Sequence, residues 1–385
     1  MSAQRILIVF SDTGAGHRTA ANAIKSAIIE ICQERNTDAP DIVMEDIIEE
    51  SNAINRLFAH TYNRILKKHQ EWMKYYFELI EWIKPNESNI GYRLSCSYTK
   101  KVIEQIEPTL IVSVHPMVNH FLARALKDMG LSDRVKLITV LTDPNANLWT
   151  GWACPDASLT IAPNDIARDK LVQFGLDPAG IKVIGMPILP EFLKPPVESR
   201  EELLSRLALD PKQLTVTITA GSAGGGNMPQ IYQALQETRR STQVIFICGK
   251  NEKLKKHMEK ISSQSRLKTV VLPFTKSMSD GMNACDLLVT KAGGLTTFEA
   301  IARRLPMAID LLTEPMPQEA GTVDILLEAG LAKAIRQAED ILHIVEGLQP
   351  MPNRLEQPLP KLHSLDRVDA VYEIAEQILS FLDKN

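Results

Sequence analysis

Arg5-Ile-Leu-Ile-Val-Phe-Ser-Asp-Thr-Gly-Ala-Gly-His-Arg18 and Leu214-Thr-Val-Thr-Ile-Thr-Ala-Gly-Ser-Ala-Gly-Gly-Gly-Asn-Met-Pro229 share one plan. Each runs from a short apolar or β-branched segment through a glycine-rich turn into a stretch of helical character. The apolar run Arg5–Phe10 is what a strand covered on both faces needs, and Leu214–Thr219 is β-branched and alternating. Glycine admits positive φ and close approach of a ligand. A helix start adds free N–H groups and the positive end of its dipole, so such turns suit phosphates and other oxygen-rich ligands. Neither turn is a G-x-G-x-x-G or a Walker loop, and either alone is equally compatible with a tight structural turn. Together they predict two nucleotide-binding-type α/β domains.

Around the first turn, strand candidates Arg5–Phe10, Asp41–Glu45, Leu110–Val114, Val135–Leu141 and Ser158–Ile161 alternate with helical stretches Ala20–Glu34, Val118–Met129 and Asn164–Phe174. Such alternation predicts a parallel, doubly wound sheet. After Ile184-Gly-Met-Pro-Ile188 comes Leu189-Pro-Glu-Phe-Leu-Lys-Pro-Pro-Val197, whose prolines continue neither a helix nor a central strand, and the interdomain linker is placed there. The domains expected are 1–190 and 191–385. The second repeats the scheme with strands near Leu214–Thr219, Val244–Cys248, Val270–Leu272, Leu287–Thr290 and Met307–Leu311, and the final helical stretch Ala370–Leu382 is expected to pack back on the first domain.

With 43 basic against 47 acidic residues in 385, the net charge of −4 argues against wholesale nucleic-acid binding. Five scattered cysteines without a C-x-x-C pair suggest neither a disulfide framework nor a zinc site, and fit a reducing cytosol. No run of 18 apolar residues occurs, so a soluble or peripheral protein is expected. One segment stands apart: Asn55 to Lys84 carries six basic residues, three acidic ones and seven aromatics. That mixture suits either an interfacial helix on an anionic membrane or amphipathic helices covering a sheet with snorkelling lysines. In the first reading Lys67, Lys68 and Lys74 supply attraction while Trp72, Tyr75, Tyr76 and Trp82 enter the interface.

In Thr290-Lys-Ala-Gly-Gly-Leu-Thr-Thr-Phe-Glu299 a strand end opens through Gly293-Gly294 into a helix, and Glu314-Pro-Met-Pro-Gln-Glu-Ala-Gly-Thr322 follows. Backbone N–H groups and hydroxyls there are suited to cradle a diphosphate. Glu299, inside that helix, is placed to accept both hydroxyls of a ribose, as acidic residues do in dinucleotide sites. Thr296 and Glu299 also have the spacing of a capping box.

Taken together, these stretches resemble the lipid glycosyltransferases of the monogalactosyldiacylglycerol synthase and processive diacylglycerol glucosyltransferase family, relatives of the enzyme that adds N-acetylglucosamine to lipid I. The resemblance covers nearly the whole chain. It rests on Ser11–Arg18 with Ala20-Ala-Asn-Ala-Ile24, on Ser113-Val-His-Pro116, Thr142-Asp143 and Ile247-Cys-Gly-Lys-Asn-Glu-Lys-Leu254, on Lys291-Ala-Gly-Gly-Leu-Thr296 with Glu299, and on Gln318-Glu319. It implies a GT-B fold, two Rossmann-like domains facing across a cleft, and metal-independent inverting transfer from a UDP-sugar, UDP-glucose or UDP-galactose, with no further cofactor.

Carried over by position, the resemblance assigns the donor to Gly293, Gly294, Thr296 and Glu299, with Gly221, Ser222, Gly249 and Lys250 lining the same site and Gln318 and Glu319 meeting sugar hydroxyls. Inversion needs a base for the acceptor hydroxyl's proton. His17 is the first choice, with Asp12 to orient it or take its place. Gly14, Gly16, His115, Asp143 and Trp149 make the acceptor side, His115 being either a cleft residue or a structural histidine at a strand end. Two positions depart from the family pattern: Asn147 stands where a histidine follows the Thr-Asp pair, and Pro317 stands where a glycine precedes Gln-Glu and so removes an N–H. Trp149 and Trp152 are then expected to offer a stacking or lipid-facing surface. The implied protein is a cytoplasmic, membrane-peripheral enzyme moving a hexose to a lipid hydroxyl, first of all that of diacylglycerol. Transfer to a polyprenyl-linked or soluble acceptor, nucleotide-sugar epimerisation, and UDP-sugar sensing without turnover stay open.

Overall fold

The computed structural model describes residues 4–11, 16–51, 56, 61, 72, 75, 78–79, 88–219, 221, 224–274, 278–349, 354–356, 358 and 365–382. The chain divides into two compact units, Met1–Pro190 with His363–Asn385, and Glu191–Leu362. The C-terminal segment thus belongs with the first unit rather than with the residues that precede it.

In the first unit the described elements are β1 Arg5–Phe10, α1 Gly16–Glu34, β2 Asp41–Asp46, α2 Ile47–Ser51, α3 Asn89–Ile106, β3 Leu110–Ser113, α4 Asn119–Asp128, β4 Lys136–Val140, β5 Leu159–Ala162, α5 Asp165–Gln173, β6 Ile181–Val183 and α13 Ala370–Leu382. Six parallel strands run in the order β2-β1-β3-β4-β5-β6. Ile6 to Val9 of β1 are wholly buried, as a strand with helices on both faces requires. Edge strand β6 escaped the sequence reading because three residues between a 3-10 turn and Gly185 carry no periodicity.

Helix α1 buries Ala20, Ala23, Ile24, Ala27, Ile28 and Ile31 along one stripe, and its alanines let a second helix come close. That helix is α13, which buries Ala370, Val371, Ile374, Ala375, Ile378 and Leu382. Polar contacts fix its register: the Tyr372 hydroxyl donates to Glu30 at 2.7 Å, Arg35 pairs with Glu376, and Arg367 donates to the Val183 carbonyl at 2.6 Å. The approach is closest at Gly185, where φ is +142° and a β-carbon would lie 2.4 Å from the Ala370 β-carbon and 2.8 Å from the Arg367 carbonyl oxygen. Neither neighbour can swing aside. Gly185→Ala is therefore expected to destabilise this unit by about 1–3 kcal/mol, through overpacking and a left-handed backbone. Thermal denaturation checks it, and an unchanged midpoint would mean that α13 is not seated there.

The second unit holds α6 Arg200–Arg206, β7 Leu214–Thr219, α7 Met228–Leu235, β8 Thr242–Ile247, α8 Glu252–Ser262, β9 Lys268–Leu272, α9 Met278–Ala284, β10 Leu287–Thr290, α10 Gly294–Ala302, β11 Met307–Asp310, α11 Pro317–Glu328, β12 Ala332–Ile335 and α12 Asp340–Gly347. Its parallel strands are ordered β12-β11-β10-β7-β8-β9. Read from the other edge, this is the 3-2-1-4-5-6 order of dinucleotide-binding sheets. Edge strand β12, Ala-Lys-Ala-Ile, has too little β-branched content to declare itself in sequence.

Both sheets have a place where the winding reverses. In the first unit the chain leaves β1 for β2 on one side and returns to β3 on the other; in the second it leaves β7 for β8 and returns to β10. A crevice opens beyond the carboxyl ends of the strands at such a switch point, and ligands of open α/β sheets bind there. The start of α1 at Gly16 and the glycines 221, 224 and 226 after β7 border these two crevices.

Candidate functional site

At the first switch point the start of α1 and the loop after β3 bring two histidines together. His17 lies in the first turn of α1, and its ring meets that of His115 edge to face, with centroids 4.4 Å apart. Nδ1 of His17 lies 2.8 Å from the Val114 carbonyl oxygen and 3.2 Å from the Thr142 hydroxyl. A carbonyl oxygen only accepts, so Nδ1 carries the proton, and in the neutral ring Nε2 then carries the lone pair. Burial pulls the His17 pKa below the ordinary 6.5, against the Asp143 carboxylate, which raises it. The ring is neutral at pH 7.

His115 is 4% exposed, and its Nδ1 accepts the Met117 N–H at 3.2 Å. Burial, followed by the neighbouring His17, holds its pKa well below the usual value, so it too is uncharged. Asp143 accepts the Trp152 indole N–H at 2.7 Å. Burial raises the pKa of this carboxyl, and His17 and the indole oppose that shift. Trp152 is completely buried, which corrects the expectation that it offers a stacking or lipid-facing surface. Its N–H is the donor that makes a carboxylate tolerable at this depth, so it belongs to the interior. Trp149 is half-buried and packs on Gly151, where a β-carbon would stand 2.8 Å from the Trp149 ring. Asn147 is exposed, and its N–H is held by Asn145 at 2.8 Å. Ser11, just before the turn, donates to Glu49 at 2.8 Å, and burial with the adjacent Asp46 pushes the Glu49 carboxyl up to about 8.

The second switch point joins the turn after β7 to the loop after β10. Glycines 221, 224 and 226 all have positive φ. A β-carbon at Gly224 would lie 2.0 Å from the Cys248 carbonyl oxygen, so the turn lies directly on the end of β8 and requires a residue without a side chain. Asp310, at the end of β11, accepts the Asn227 N–H at 3.1 Å, its side-chain amide at 3.1 Å and the Leu312 N–H at 3.2 Å. Gly249 is buried with φ +59°, and Lys250 is exposed with its ammonium 5.6 Å from the Phe274 ring centre.

Helix α10 begins at Gly294 after Gly293, with no side chain capping its first turn. Thr296 and Glu299 therefore do not form a capping box. Thr297, one residue on, turns its hydroxyl back to the Gly293 and Gly294 carbonyls at 3.0 Å each. Glu299 is 5% exposed, and burial, with a smaller contribution from Glu191, pushes its carboxyl up to about 8. One turn later Arg303, also buried, donates to the carbonyls of Lys194 at 2.8 Å and Glu191 at 2.6 Å, so the segment that opens this unit is tied to the helix bearing Glu299. Pro317 occupies the first turn of α11, where its missing N–H breaks no helical bond, and Gln318 and Glu319 follow at the same helix start.

The structure thus brings His17, His115, Asp143 and Trp149 into one loop cluster of the first unit, and Gly221, Gly249, Gly293, Gly294, Thr296, Glu299, Gln318 and Glu319 to the strand ends of the second. Asp12, Gly14 and Ser222 lie outside the described residues, as do Lys67, Lys68, Lys74, Tyr76 and Trp82. Trp72 and Tyr75 are described, and are 57% and 69% exposed. Among the described residues no helix is long and apolar enough to cross a membrane.

Residues 17–188 match the family described as monogalactosyldiacylglycerol (MGDG) synthase, and residues 215–361 match the glycosyltransferase family 28 C-terminal domain. The Arabidopsis thaliana monogalactosyldiacylglycerol synthase 2, a chloroplastic protein, is 30% identical over 97% of this chain and 80% of its own length. The chain belongs to the monogalactosyldiacylglycerol synthase family. It is a glycosyltransferase of the lipid-modifying kind. Among solved structures, Acinetobacter baumannii MurG matches with a TM-score of 0.59 at 14% identity, covering 98% of this chain and 99% of its own. The S. aureus MnaA structure with UDP matches with a TM-score of 0.61 at 14% identity, covering 99% and 97%. At that identity the likeness concerns the fold, which is GT-B, built of two Rossmann-like α/β sheets.

Proposed function

We propose that this member of the monogalactosyldiacylglycerol synthase family transfers a hexose from UDP-glucose or UDP-galactose to a lipid hydroxyl, most directly that of diacylglycerol, with inversion at the sugar carbon. The observation that carries the reading is the neutral His17 ring, held through Nδ1 by the Val114 carbonyl so that Nε2 keeps its lone pair at the switch point. Nε2 takes the proton of the acceptor hydroxyl, the oxygen attacks the anomeric carbon from the face opposite UDP, and the bond to the diphosphate breaks with its electron pair leaving on UDP. Asp143, half-buried near the ring, stabilises the imidazolium as it forms. In the second unit the start of α10 and the turn after β7 hold the diphosphate, Glu299 takes the ribose hydroxyls, and Gln318 and Glu319 meet the sugar. The exposed Trp72 and Tyr75 support contact with an anionic membrane surface.

Purified protein given either UDP-sugar and diacylglycerol vesicles is expected to release UDP only when the lipid is present, with the sugar appearing on lipid in the configuration opposite to the donor's. A sugar nucleotide altered in configuration without net transfer would indicate an epimerase. UDP binding without turnover on any lipid or soluble acceptor would indicate a sensor, and either result would sink the proposal.

A further inference from the structure

Strand β12 forms one edge of the second sheet, with β11 and β10 between it and β7. It pairs in parallel with β11, where the Met307 N–H donates to the Leu331 carbonyl at 3.3 Å and the Leu311 N–H to the Ile335 carbonyl at 2.9 Å. Backbone groups alternate sides along a strand, so residues 331, 333 and 335 bond to β11 while the N–H and C=O of Ala332 and Ala334 point out of the sheet. Among the described residues no hydrogen bond reaches those outward groups.

A groove of about 680 Å³ opens at this edge, and its lining joins β12 to α11 and α12. Ile335 is buried in one cluster with Ile341 and Val345 of α12, so Lys333, two residues earlier, projects to that side, where Arg336 and His343 also line the groove. Ala332 and Ala334 project to the opposite side, and Leu327 of α11 completes the lining. Lys333 and Arg336 are exposed, and among the described residues neither side chain is paired with a carboxylate. The one acid of the groove, Asp340, is already held, accepting the Arg336 N–H at 2.8 Å and the Gln337 N–H at 3.0 Å. The edge thus offers open main-chain groups between a cationic side and an apolar one.

We infer that this edge docks an extended acidic segment of a partner protein, which adds to β12 as a further strand. Its main chain bonds to Ala332 and Ala334, its acidic side chains meet Lys333 and Arg336, and the apolar side chains alternating with them lie over the alanines and Leu327. The same cations turn away a second copy of this chain, because joining two β12 edges would put two Lys333 and two Arg336 side chains on one seam.

The test is fluorescence anisotropy of the full chain with two labelled probes, blocked heptapeptides of alternating valine and glutamate or alternating valine and lysine. Saturable binding of the glutamate peptide is expected, and none of the lysine peptide. Lys333→Glu combined with Arg336→Glu should weaken the glutamate peptide about tenfold or more, since like charges then face each other. Ala334→Pro removes an outward N–H, leaves the ladder to β11 intact, and should weaken the peptide about 3- to 10-fold, the scale of one main-chain hydrogen bond. If the proline variant fails to fold, a glutamate peptide N-methylated at alternate residues makes the same comparison on wild-type protein. Absence of saturable binding, equal binding of both peptides, or binding that ignores either the charge reversals or the lost N–H overturns the inference. A wild-type dimer in sedimentation that the charge reversals or Ala334→Pro dissolve also overturns it, since a second copy would then fill the edge.

Discussion

His17→Ala is expected to lower turnover by roughly 100-fold or more, the usual scale for removing a general base, while UDP affinity stays near that of wild type. The two effects separate because the histidine belongs to the first unit's switch point and the residues proposed for the nucleotide to the second's. Its pH signature is specific. A histidine acts as base only when neutral, and burial lowers the His17 pKa below 6.5, so activity should stay level down to that pH and fall only in more acidic solution. Asp143 pulls the same pKa upward, so Asp143→Asn should move this acid limb to still lower pH as well as reduce the rate. Initial rates from pH 5 to 8 for the three proteins decide the matter. Full turnover in His17→Ala, or an acid limb above pH 7 in wild type, would pass the role to Asp12, Asp143 or Glu49.

Much of this arrangement was legible before any coordinates. The glycine turns after Phe10 and Thr219 stated the strand, turn and helix plan twice, because a central parallel strand must be apolar and a ligand-binding turn must be glycine-rich. Strand order was not legible, and strand order decides which loops meet. Nothing in the spacing of His17 and Val114, 97 residues apart, says that β1 and β3 are neighbours, yet that pairing puts a carbonyl on Nδ1 and selects the tautomer. A backbone carbonyl also carries no signal in a sequence. Trp152 is misplaced by the sequence for a related reason: an aromatic in a loop reads as surface until its N–H is found on a half-buried carboxylate. Glu299 is singled out in the sequence by type and position, but its protonation state is not legible there. The charge of Glu191 that acts on it comes from the segment that Arg303 ties down.

That state leads to the second large effect. With its carboxyl pushed up to about 8, Glu299 is mostly protonated at pH 7 in the free protein. Accepting hydroxyl hydrogen bonds from a ribose favours the ionised form, so nucleotide binding should release a proton. UDP affinity is then expected to rise about fivefold between pH 7 and 8 and to level off above pH 9, where the carboxyl is ionised without help. Glu299→Gln keeps the size and removes the charge, and should abolish this pH dependence. Glu299→Ala should weaken UDP roughly 30- to 150-fold, the loss of a bidentate charge-assisted contact of about 2–3 kcal/mol. Stability follows the same proton with the opposite sign. The folded chain holds it more tightly than the unfolded chain, whose carboxyl has the ordinary value of 4.5, so this group's contribution is fully present below about pH 4.5 and is lost as pH rises through about 8. Saturating UDP should restore part of the melting temperature lost between pH 7 and 9 in wild type, and very little in Glu299→Gln. Titrations and melts at those pH values measure both. A UDP affinity that ignores pH in wild type, or an unchanged affinity in the Ala variant, would place the ribose away from α10.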